Sequence, residues 1–205
     1  ITPGGIAGSG RHFVSYYLRQ KKLVNFVAQF ETEKWTEESW STPGDIEELR
    51  ELYRDWDPQV TDILKNVETT YKWALYTRPA LPYWSDGRAC LIGDACHPTL
   101  PNLASGAAMA IEDAYIIAAL LSEHSKSIPE ALKQFYKLRI ERCTRIQQAS
   151  EKMAKFFHIS NSVERALKHN TVRLLSHVAP ELMARRMTWT HSYNALTAAK
   201  GGIES

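Results

Sequence analysis

The sequence predicts an α+β fold in which short strands come first and long helices come last. Residues 11–30 are rich in aromatic and β-branched side chains, which favour strands. From residue 105 onward, apolar residues recur at helical spacing with charged residues between them. The 205-residue chain is 44% apolar and 23% charged, which is typical of a globular protein with room for one large domain or two small ones.

Three segments are predicted to form an antiparallel sheet, namely residues 11–18, 23–30 and 70–77. The first two flank Arg19-Gln20-Lys21-Lys22 and predict a hairpin, although this turn lacks the Asn-Gly or Gly pair of a tight hairpin. In the third, large apolar residues alternate with smaller or polar ones. The glycine-rich residues 1–10 resemble neither a signal peptide nor a first strand, and we expect the chain to start within a longer protein.

Turn and capping residues predict where the remaining elements begin. We expect a strand end and connection over 35–41, a turn at 42–45 that caps a helix over 46–53, and a second short helix over 57–66. A buried strand is predicted over 88–92, because glycines flank its apolar run. We expect this strand to belong to a layer separate from the antiparallel sheet. Long helices should span 105–122 and 128–157, with two more near 163–175 and 181–190. We divide the chain into three segments that we expect to differ in function. Segment 1–84 contains the sheet and the short helices, segment 85–125 a strand, a loop and a helix, and segment 126–205 the C-terminal helices.

Charge and cysteine usage exclude several classes of protein. A net charge of +2 is too small to indicate nucleic acid or an anionic membrane as a partner, and the basic run 133–145 is interpreted as a solvated helix face. No apolar run approaches the roughly 20 residues that cross a bilayer. Cys90, Cys96 and Cys143 form no C-x-x-C pair and have no histidine at zinc-ligand spacing, so we expect buried thiols, no metal and a reducing, cytoplasmic compartment.

The segment most informative about chemistry runs from residue 88 to 114. It reads as a strand, an acidic turn at Gly93-Asp94, a proline-bearing loop and a helix that begins near Gly106. The first N–H groups of that helix have no partner within it and lie at the positive end of its dipole, which favours an anion or an electron-rich carbonyl. Asp94 could accept hydrogen bonds from ligand hydroxyls. The alternative is that Asp94 only caps a turn and Gly106 only packs a helix against a strand.

The whole pattern, G-D-A-x-H-x-x-x-P-x-x-x-x-G-x-x-x-x-x-E-D-A over residues 93–114, resembles the signature of the single-component FAD-dependent aromatic hydroxylases, and most of all their salicylate hydroxylase-like branch. Flanking residues resemble that branch in the same order, over about residues 11–150: Tyr16, Asn25 to Ala28, Glu38-Ser-Trp40, Trp73 to Tyr76, Arg78-Pro79, Leu81-Pro82 and Trp84. The resemblance implies a flavoprotein monooxygenase that uses FAD, NADH or NADPH, and O2 on a phenolic or salicylate-like aromatic substrate.

The resemblance also implies roles for individual residues. Asp94 would hydrogen-bond the ribityl chain of FAD, and Pro101 would lie beside the isoalloxazine ring where oxygen adds. Gly106, Ala107 and Ala108 would offer backbone N–H groups to the pyrimidine edge of the flavin. Ser105 departs from the glutamine that is common in the branch. Three nearby residues are interpreted as structural, namely His97, Glu112 and Asp113.

The same resemblance points to a substrate wall on the first strand of the hairpin. His12 and Tyr16 lie four residues apart, and therefore on one face of a strand. They would correspond to a histidine and a tyrosine that line the aromatic-substrate pocket in related enzymes. The alternative is that both are ordinary sheet residues.

The glycine fingerprint that binds a dinucleotide pyrophosphate is missing. The glycines of residues 4–10 follow no apolar strand, and Asp86-Gly87 is interpreted as a turn. We therefore expect an incomplete FAD-monooxygenase fold whose partner is the dinucleotide-binding half of the same protein. Two other interpretations stay open, a non-catalytic binding module that kept the fold without the fingerprint and an unrelated α+β protein with a chance motif.

Overall fold

The computed structural model describes residues 4–32, 39, 41–123 and 127–203. They form a mixed α+β structure, as the sequence predicts. The chain divides into two compact units. Unit 1 contains the residues up to Leu75 together with Phe157–Ser162, and unit 2 contains Tyr76–Phe156 and the residues from Val163 onward. The predicted connection over 35–41 lies outside the described residues except for Ser39 and Ser41.

Unit 1 is built on a three-stranded antiparallel sheet of β1 (Gly4–Gly8), β2 (Arg11–Leu18) and β3 (Leu23–Phe30), in that order. The predicted hairpin is confirmed, and Tyr16 of β2 pairs with Asn25 of β3. Three successive residues of the turn, Arg19, Gln20 and Lys21, have positive φ values of 48°, 56° and 70°. These three residues adopt the left-handed backbone conformation that is usually adopted by glycine in a hairpin turn.

The third strand of this sheet is not the predicted segment 70–77. Gly4–Gly8 pairs with β2 instead, so the prediction that the opening is no first strand is also wrong. Within 70–77 the structure has one isolated bridge, between Tyr71 and Pro43, and it is flanked by backbone hydrogen bonds to residues 42 and 44. Alternation of apolar and polar residues indicates a segment with one apolar face, but a strand also needs the backbone of a second strand to pair with. The glycines of β1 meet that need because pairing depends on backbone N–H and C=O groups.

Two short helices cover one face of the sheet. In α1 (Ile46–Leu52), the side chain of Asp45 accepts from the N–H groups of Glu47 and Glu48 at 2.8 and 3.1 Å. In α2 (Pro58–Lys65), Asp57 caps the N-terminus and proline occupies the first turn. Both predicted helices are confirmed. The core between helices and sheet consists of Phe13, Leu49, Tyr53, Val60, Ile63 and Leu64.

Unit 2 is mostly helical. It has a two-stranded ribbon, β4 (Ser85–Asp86) and β5 (Ala89–Cys90), and the helices α3 (Gly106–Glu123), α4 (Ile128–Phe157), α5 (Ser162–Val178), α6 (Pro180–His191) and α7 (Ala195–Ile203). The first four helices were predicted within a few residues. The sequence did not predict α7, because two glycines within it obscure the helical pattern. The core includes Trp84, Met109, Ile116, Leu120, Phe135, Cys143 and Ile146.

The predicted buried strand over 88–92 is shorter and more exposed than expected. Only Ala89–Cys90 is a strand, and it pairs with Ser85–Asp86 around Gly87, which has a φ of +55°. Leu91 and Ile92 are 44% and 43% exposed. An apolar run marks residues that favour burial, but no described part of the chain covers these two.

The units do not coincide with the three segments proposed from the sequence. The segment 85–125 and the helices that follow share one hydrophobic core, so that division stays a prediction about segment function. In the described part of the chain, no helix combines the length and the hydropathy that a membrane span requires.

Candidate functional site

The acidic turn after β5 is held tightly against α3. Residues Gly93–Ala95 form a single 3-10 turn, and the carbonyl of Gly93 accepts from the N–H groups of Cys96 and His97 at 3.1 and 3.0 Å. Gly93 has a φ of +57°, and a Cβ there would lie 3.2 Å from the Cβ of Ala110 on α3. Glycine is therefore required both by the left-handed backbone and by the close approach of the helix. The turn leaves the side chain of Asp94 exposed.

The start of α3 presents unpaired backbone donors. A second 3-10 turn, Pro101–Leu103, ends at Ala104 in the left-handed conformation with a φ of 49°. The first N–H of the helix with a helical partner is that of Met109, which donates to the carbonyl of Ser105 at 2.9 Å. The N–H groups of residues 106–108 precede that bond. The hydroxyl of Ser105 donates to the carbonyl of Leu103 at 2.9 Å and so points away from these donors.

Asp94 and Gly106 lie next to each other. A Cβ built on Gly106 would be 3.9 Å from Oδ1 of Asp94 and 3.5 Å from the methyl group of Thr99. Asp94, Pro101, Ala107 and Ala108 are all exposed, and Gly106 is half-buried. A carboxylate that accepts from hydroxyls thus adjoins backbone N–H groups that donate to carbonyls or anions. This donor set fits the ribityl chain and the pyrimidine edge of a flavin.

A buried carboxylate holds this surface from beneath. Asp113, in the second turn of α3, is fully buried. Its Oδ2 accepts from the N–H of Gly93 at 3.0 Å and from Nε2 of His97 at 2.6 Å, and its Oδ1 accepts from Nε of Arg139 at 2.7 Å. One side chain therefore connects the acidic turn, α3 and α4.

The protonation states of this cluster follow from its contacts. Burial opposes a charge on His97, but the hydrogen bond to Asp113 outweighs burial and raises the pKa of His97 to about 12. Burial likewise opposes a charge on Asp113, but the hydrogen bonds from His97, Gly93 and Arg139 hold the pKa of its carboxyl below the ordinary value. The cluster is therefore a charged Asp113 between two cations at neutral pH.

Glu112 extends the cluster toward the C-terminal helices. It accepts from Arg139 at 2.7 Å and, with both oxygens, from Arg142 at 2.8 and 2.7 Å. Arg142 also donates to the carbonyl of Thr190 at 3.1 Å and lies 4.1 Å from the ring centre of Tyr193. These contacts agree with the structural roles that the sequence assigned to Glu112, Asp113 and His97.

Cys96, His97 and Asp113 bring three potential metal ligands within 4.8 Å of one another. Metal binding requires deprotonated ligands. Here His97 carries a proton on the nitrogen that faces Asp113, and Arg139 already neutralises the carboxylate. The chemistry of the group is therefore that of an ion-pair cluster. The cysteines are all free thiols, and Cys96 and Cys143 are buried as predicted, whereas Cys90 is only half-buried.

Sequence reasoning missed Arg139 and Arg142. The basic run 133–145 was interpreted as a solvated face, but Arg139 is fully buried and the side chain of Arg142 is 10% exposed. The helical spacing held a usable signal, because Arg139 follows Phe135 by four residues and precedes Cys143 by four. Both neighbours are core residues, so Arg139 lies on the buried stripe of α4.

The two predicted substrate residues belong to unit 1. His12 is buried, and its Nδ1 lies 2.7 Å from Nε2 of His158. Tyr16 is 44% exposed, and its hydroxyl accepts from the side chain of Asn25 at 2.8 Å. Both lie on the sheet face opposite Phe13, and therefore opposite α1 and α2. Their contact with a substrate stays a prediction.

The mixed α+β fold and the donor set at Asp94 are compatible with a flavin-binding protein. Residues 9–152 match the family described as the FAD binding domain, and the chain belongs to this family.

Its relatives are FAD-dependent aromatic hydroxylases. The chain is 33% identical over 165 residues to a 3-amino-4-hydroxybenzoate 2-monooxygenase of Streptomyces platensis, covering 80% of this chain and 42% of the relative. It is 31% identical over 188 residues to the 3-hydroxybenzoate 6-hydroxylase of Polaromonas naphthalenivorans, covering 91% and 46%. Among solved structures, a salicylate hydroxylase substrate complex superimposes with a TM-score of 0.80 at 25% identity, covering 98% of this chain and 49% of that one. The chain thus spans less than half the length of these two relatives.

Proposed function

We propose that this chain forms the flavin-ring side of an FAD-dependent monooxygenase that hydroxylates a phenolic or salicylate-like aromatic substrate with NADH or NADPH and O2. The observation that carries the proposal is the pairing of the exposed Asp94 carboxylate with the start of α3, 3.9 Å from Oδ1 to a Cβ position on Gly106. This pairing offers acceptors to hydroxyls and donors to carbonyls on one accessible surface. The family membership and the aromatic substrates in the names of the relatives support it.

Each residue of the surface has a distinct task in this proposal. FAD, when bound, supplies the electron transfer from the nicotinamide and the activation of oxygen. Asp94 holds the ribityl hydroxyls, and the N–H groups of Gly106, Ala107 and Ala108 stabilise negative charge at the pyrimidine edge. Pro101 limits the space beside the ring and excludes water there. His12 and Tyr16 orient the aromatic substrate.

The buried cluster keeps the binding surface in shape. Asp113 holds the N–H of Gly93 directly beside Asp94, while Arg139 holds Asp113 from α4. Because buried hydrogen bonds hold the acidic turn against α3 and α4, little ordering has to occur when the cofactor binds. This pre-organisation supports a binding role for the surface.

The surface of α3 supports a partner that supplies the dinucleotide site. A helix that is apolar on all sides is normally buried on all sides. In α3 the exposed side is also apolar, and its members are Ala107, Ala108, Ile111, Ala114, Tyr115 and Ala118. We propose that the dinucleotide-binding half of the same protein covers this stripe. The isolated chain should then be inactive, and its free thiols support a reducing, cytoplasmic setting.

Retention of FAD tests the proposal. Titration of FAD into this chain alone, followed by flavin fluorescence, should show no submicromolar binding, because the pyrophosphate contacts are absent. Co-expression with the dinucleotide-binding half should give a yellow complex that oxidises NADH or NADPH when an aromatic substrate is added. In that complex Asp94→Ala should weaken FAD binding about tenfold or more, the equivalent of one charge-assisted hydrogen bond.

The matched control is Asp86→Ala, which removes another exposed acid of the same unit outside the proposed site. Asp86→Ala should retain FAD as the parent does. Equal FAD retention by Asp94→Ala and the parent would contradict the role of Asp94. A colourless complex that still forms would favour a non-catalytic module.

A further inference from the structure

A cavity of about 190 Å³ lies between the sheet and α2 in unit 1. Its walls come from β1, β2 and α2, which all belong to that unit. The cavity is on the sheet face that packs against the two short helices, because Phe13 belongs both to its lining and to their shared core. It therefore lies on the opposite side of β2 from His12 and Tyr16.

The cavity has a buried end and an exposed mouth. The buried end is formed by four side chains that are between 1% and 8% exposed, namely Phe13, Ser15, Val60 and Ile63. The mouth is formed by three exposed residues, Gly4, Gly5 and Gln59. Both glycines belong to β1, which is at the edge of the sheet. A small molecule can therefore reach the buried end from that edge.

The glycine at position 4 keeps the mouth open. Gly4 pairs directly with Ser15, and Ile6 pairs with Phe13. Residues directly opposite each other in an antiparallel pair project to the same face of the sheet, so a side chain at position 4 would project toward the cavity. A Cβ built on Gly4 meets nothing within 4 Å. The space that a side chain would fill is therefore part of the opening.

The hydroxyl of Ser15 is a polar group inside this cavity. Ser15 shares the face of β2 with Phe13 and is 7% exposed. Within the part of the chain that the structure describes, its hydroxyl forms no hydrogen bond. A buried hydroxyl without a partner costs free energy, and a ligand that hydrogen-bonds to it recovers that cost. The Ser15 hydroxyl therefore favours a ligand with one polar group.

The lining determines the charge and the size of such a ligand. No residue of the lining has an ionisable side chain, so a buried carboxylate or ammonium group would have no counter-charge. An engineered cavity of about 150 Å³ with Leu, Ile and Phe walls binds benzene. The larger volume here admits a six-membered ring with a small substituent. The Phe13 ring forms part of the wall and favours an aromatic ring beside it.

We propose that this cavity is a binding site for a small neutral aromatic molecule of the size of phenol. The ring lies between Phe13 and the apolar side chains of Val60 and Ile63, and its hydroxyl group bonds to the hydroxyl of Ser15. The site is separate from the flavin surface at Asp94 and from the predicted substrate wall at His12.

Water fits the buried end less well than an aromatic ring does. A buried water normally makes about three hydrogen bonds. The buried end offers one polar side chain, that of Ser15, among three apolar ones. A phenol satisfies the same hydroxyl and also covers the apolar walls.

The first test measures phenol binding to this chain by methyl NMR, without any cofactor. Phenol should shift the methyl signals of Ile6, Val60 and Ile63 in a saturable way, with a Kd of about 1 mM or below. The signals of Val14 and Val27, on the other face of the sheet, report binding at the predicted substrate wall instead. Benzoate should not shift the three cavity signals, because its carboxylate would be buried without a counter-charge.

The second test uses variants of the cavity and two ligands. Ser15→Ala should weaken phenol binding about fivefold, the equivalent of one neutral hydrogen bond, and should not weaken benzene binding. Gly4→Ile should abolish the binding of both ligands, because its side chain fills the mouth. Gly5→Ile is the matched control, because a Cβ on Gly5 lies 3.8 Å from Val14 and therefore projects to the other face. It should bind both ligands as the parent does.

Three outcomes would overturn the site. The first is the absence of saturable shifts at Ile6, Val60 and Ile63 with phenol, which would leave the cavity to water. The second is equal binding of phenol and benzoate, and the third is unchanged binding in Gly4→Ile. The tests involve no flavin and no turnover, so failure of the proposed function would not change their result.

Discussion

Asp113 accepts hydrogen bonds from Gly93, His97 and Arg139 in a fully buried site. Removing one partner of such a buried charge leaves the others uncompensated, which costs several kcal/mol, roughly 3–5, in comparable proteins. The position of the acidic turn therefore depends on one carboxylate in the second turn of α3. The shape of the proposed cofactor surface therefore depends on the buried residues beneath it.

The raised pKa of His97 makes stability depend on pH. The folded state keeps the proton of His97 up to a pKa of about 12, whereas the unfolded state loses it near the ordinary histidine pKa of 6.5. The contribution is therefore complete below about pH 6.5 and decreases above it, by about 1.4 kcal/mol per pH unit. Amide hydrogen exchange in α3 of unit 2, measured from pH 6 to 9, should show this slope.

His97→Gln should flatten that dependence even if the variant is less stable at every pH, while His177→Gln should keep the slope of the parent. Parallel profiles for His97→Gln and the parent would mean that His97 is neutral in the folded chain. The slope is the critical quantity, because it depends on the proton and not on packing.

The sequence predicted the exposed residues of the candidate site but missed two of the buried residues beneath it. Asp94, Pro101 and Gly106 follow from a motif with fixed spacing. Arg139 and Arg142 lie far along the chain on α4, and basic side chains are almost never fully buried unless paired. Only the three-dimensional pairing with Glu112 and Asp113 explains why they are inside. The helical spacing of α4 indicates that Arg139 is buried, but it does not reveal which carboxylates neutralise it.

The long elements were predictable because their own side chains determine them. The hairpin of β2 and β3 and the helix α4 each show a clear apolar period, and α3 is a long run of apolar residues. The short helices α1 and α2 have capping aspartates. The short strands depend on partners instead. Gly4–Gly8 becomes a strand because β2 offers its edge, and residues 70–77 form no strand despite their alternation. The period of apolar residues predicts the conformation of one segment, whereas strand pairing depends on two segments.

Two glycines with the same backbone conformation test how the acidic turn is packed. Gly87 and Gly93 have φ values of +55° and +57°, but a Cβ on Gly87 would meet nothing within 4 Å, whereas one on Gly93 would lie 3.2 Å from Ala110. Gly87→Ala should cost about 1 kcal/mol of backbone strain. Gly93→Ala should cost more, about 2–3 kcal/mol, because the helix must also move.

Urea unfolding followed by circular dichroism measures both changes in the free energy of unfolding. Gly93→Ala should also weaken FAD binding in the complete protein, since Asp94 moves with the turn, and Gly87→Ala should not. Equal destabilisation by the two variants would show that the turn and α3 are not packed as tightly as their geometry implies.

At the scale of the whole chain, α3 joins the buried cluster on one side to an exposed apolar stripe on the other. Ile111 and Tyr115 of the stripe are 71% and 44% exposed. Contiguous apolar surface of this kind marks an interaction site or promotes aggregation. The stripe continues from Ala107 and Ala108, so the proposed partner would meet the flavin and the helix along one continuous surface.

A charged residue in the stripe should therefore increase the solubility of the isolated chain and prevent its assembly with the partner. Ile111→Lys should raise the monomeric fraction of the isolated chain in size-exclusion chromatography and should abolish association with the dinucleotide-binding half. Leu174→Lys, which charges a 63% exposed leucine on α5, is the matched control and should leave association intact. Association that survives Ile111→Lys would place the partner on another surface.

The division of unit 1 into two stretches of chain has a consequence for synthesis on the ribosome. The sheet, α1 and α2 are complete once residue 75 has emerged, but Phe157–Ser162, which cover His12, follow only after most of unit 2. Until then the sheet face that carries His12 stays uncovered in the nascent chain while about 80 further residues are translated. A chaperone that protects this chain during elongation should bind within that interval and leave when residue 162 has passed the exit tunnel.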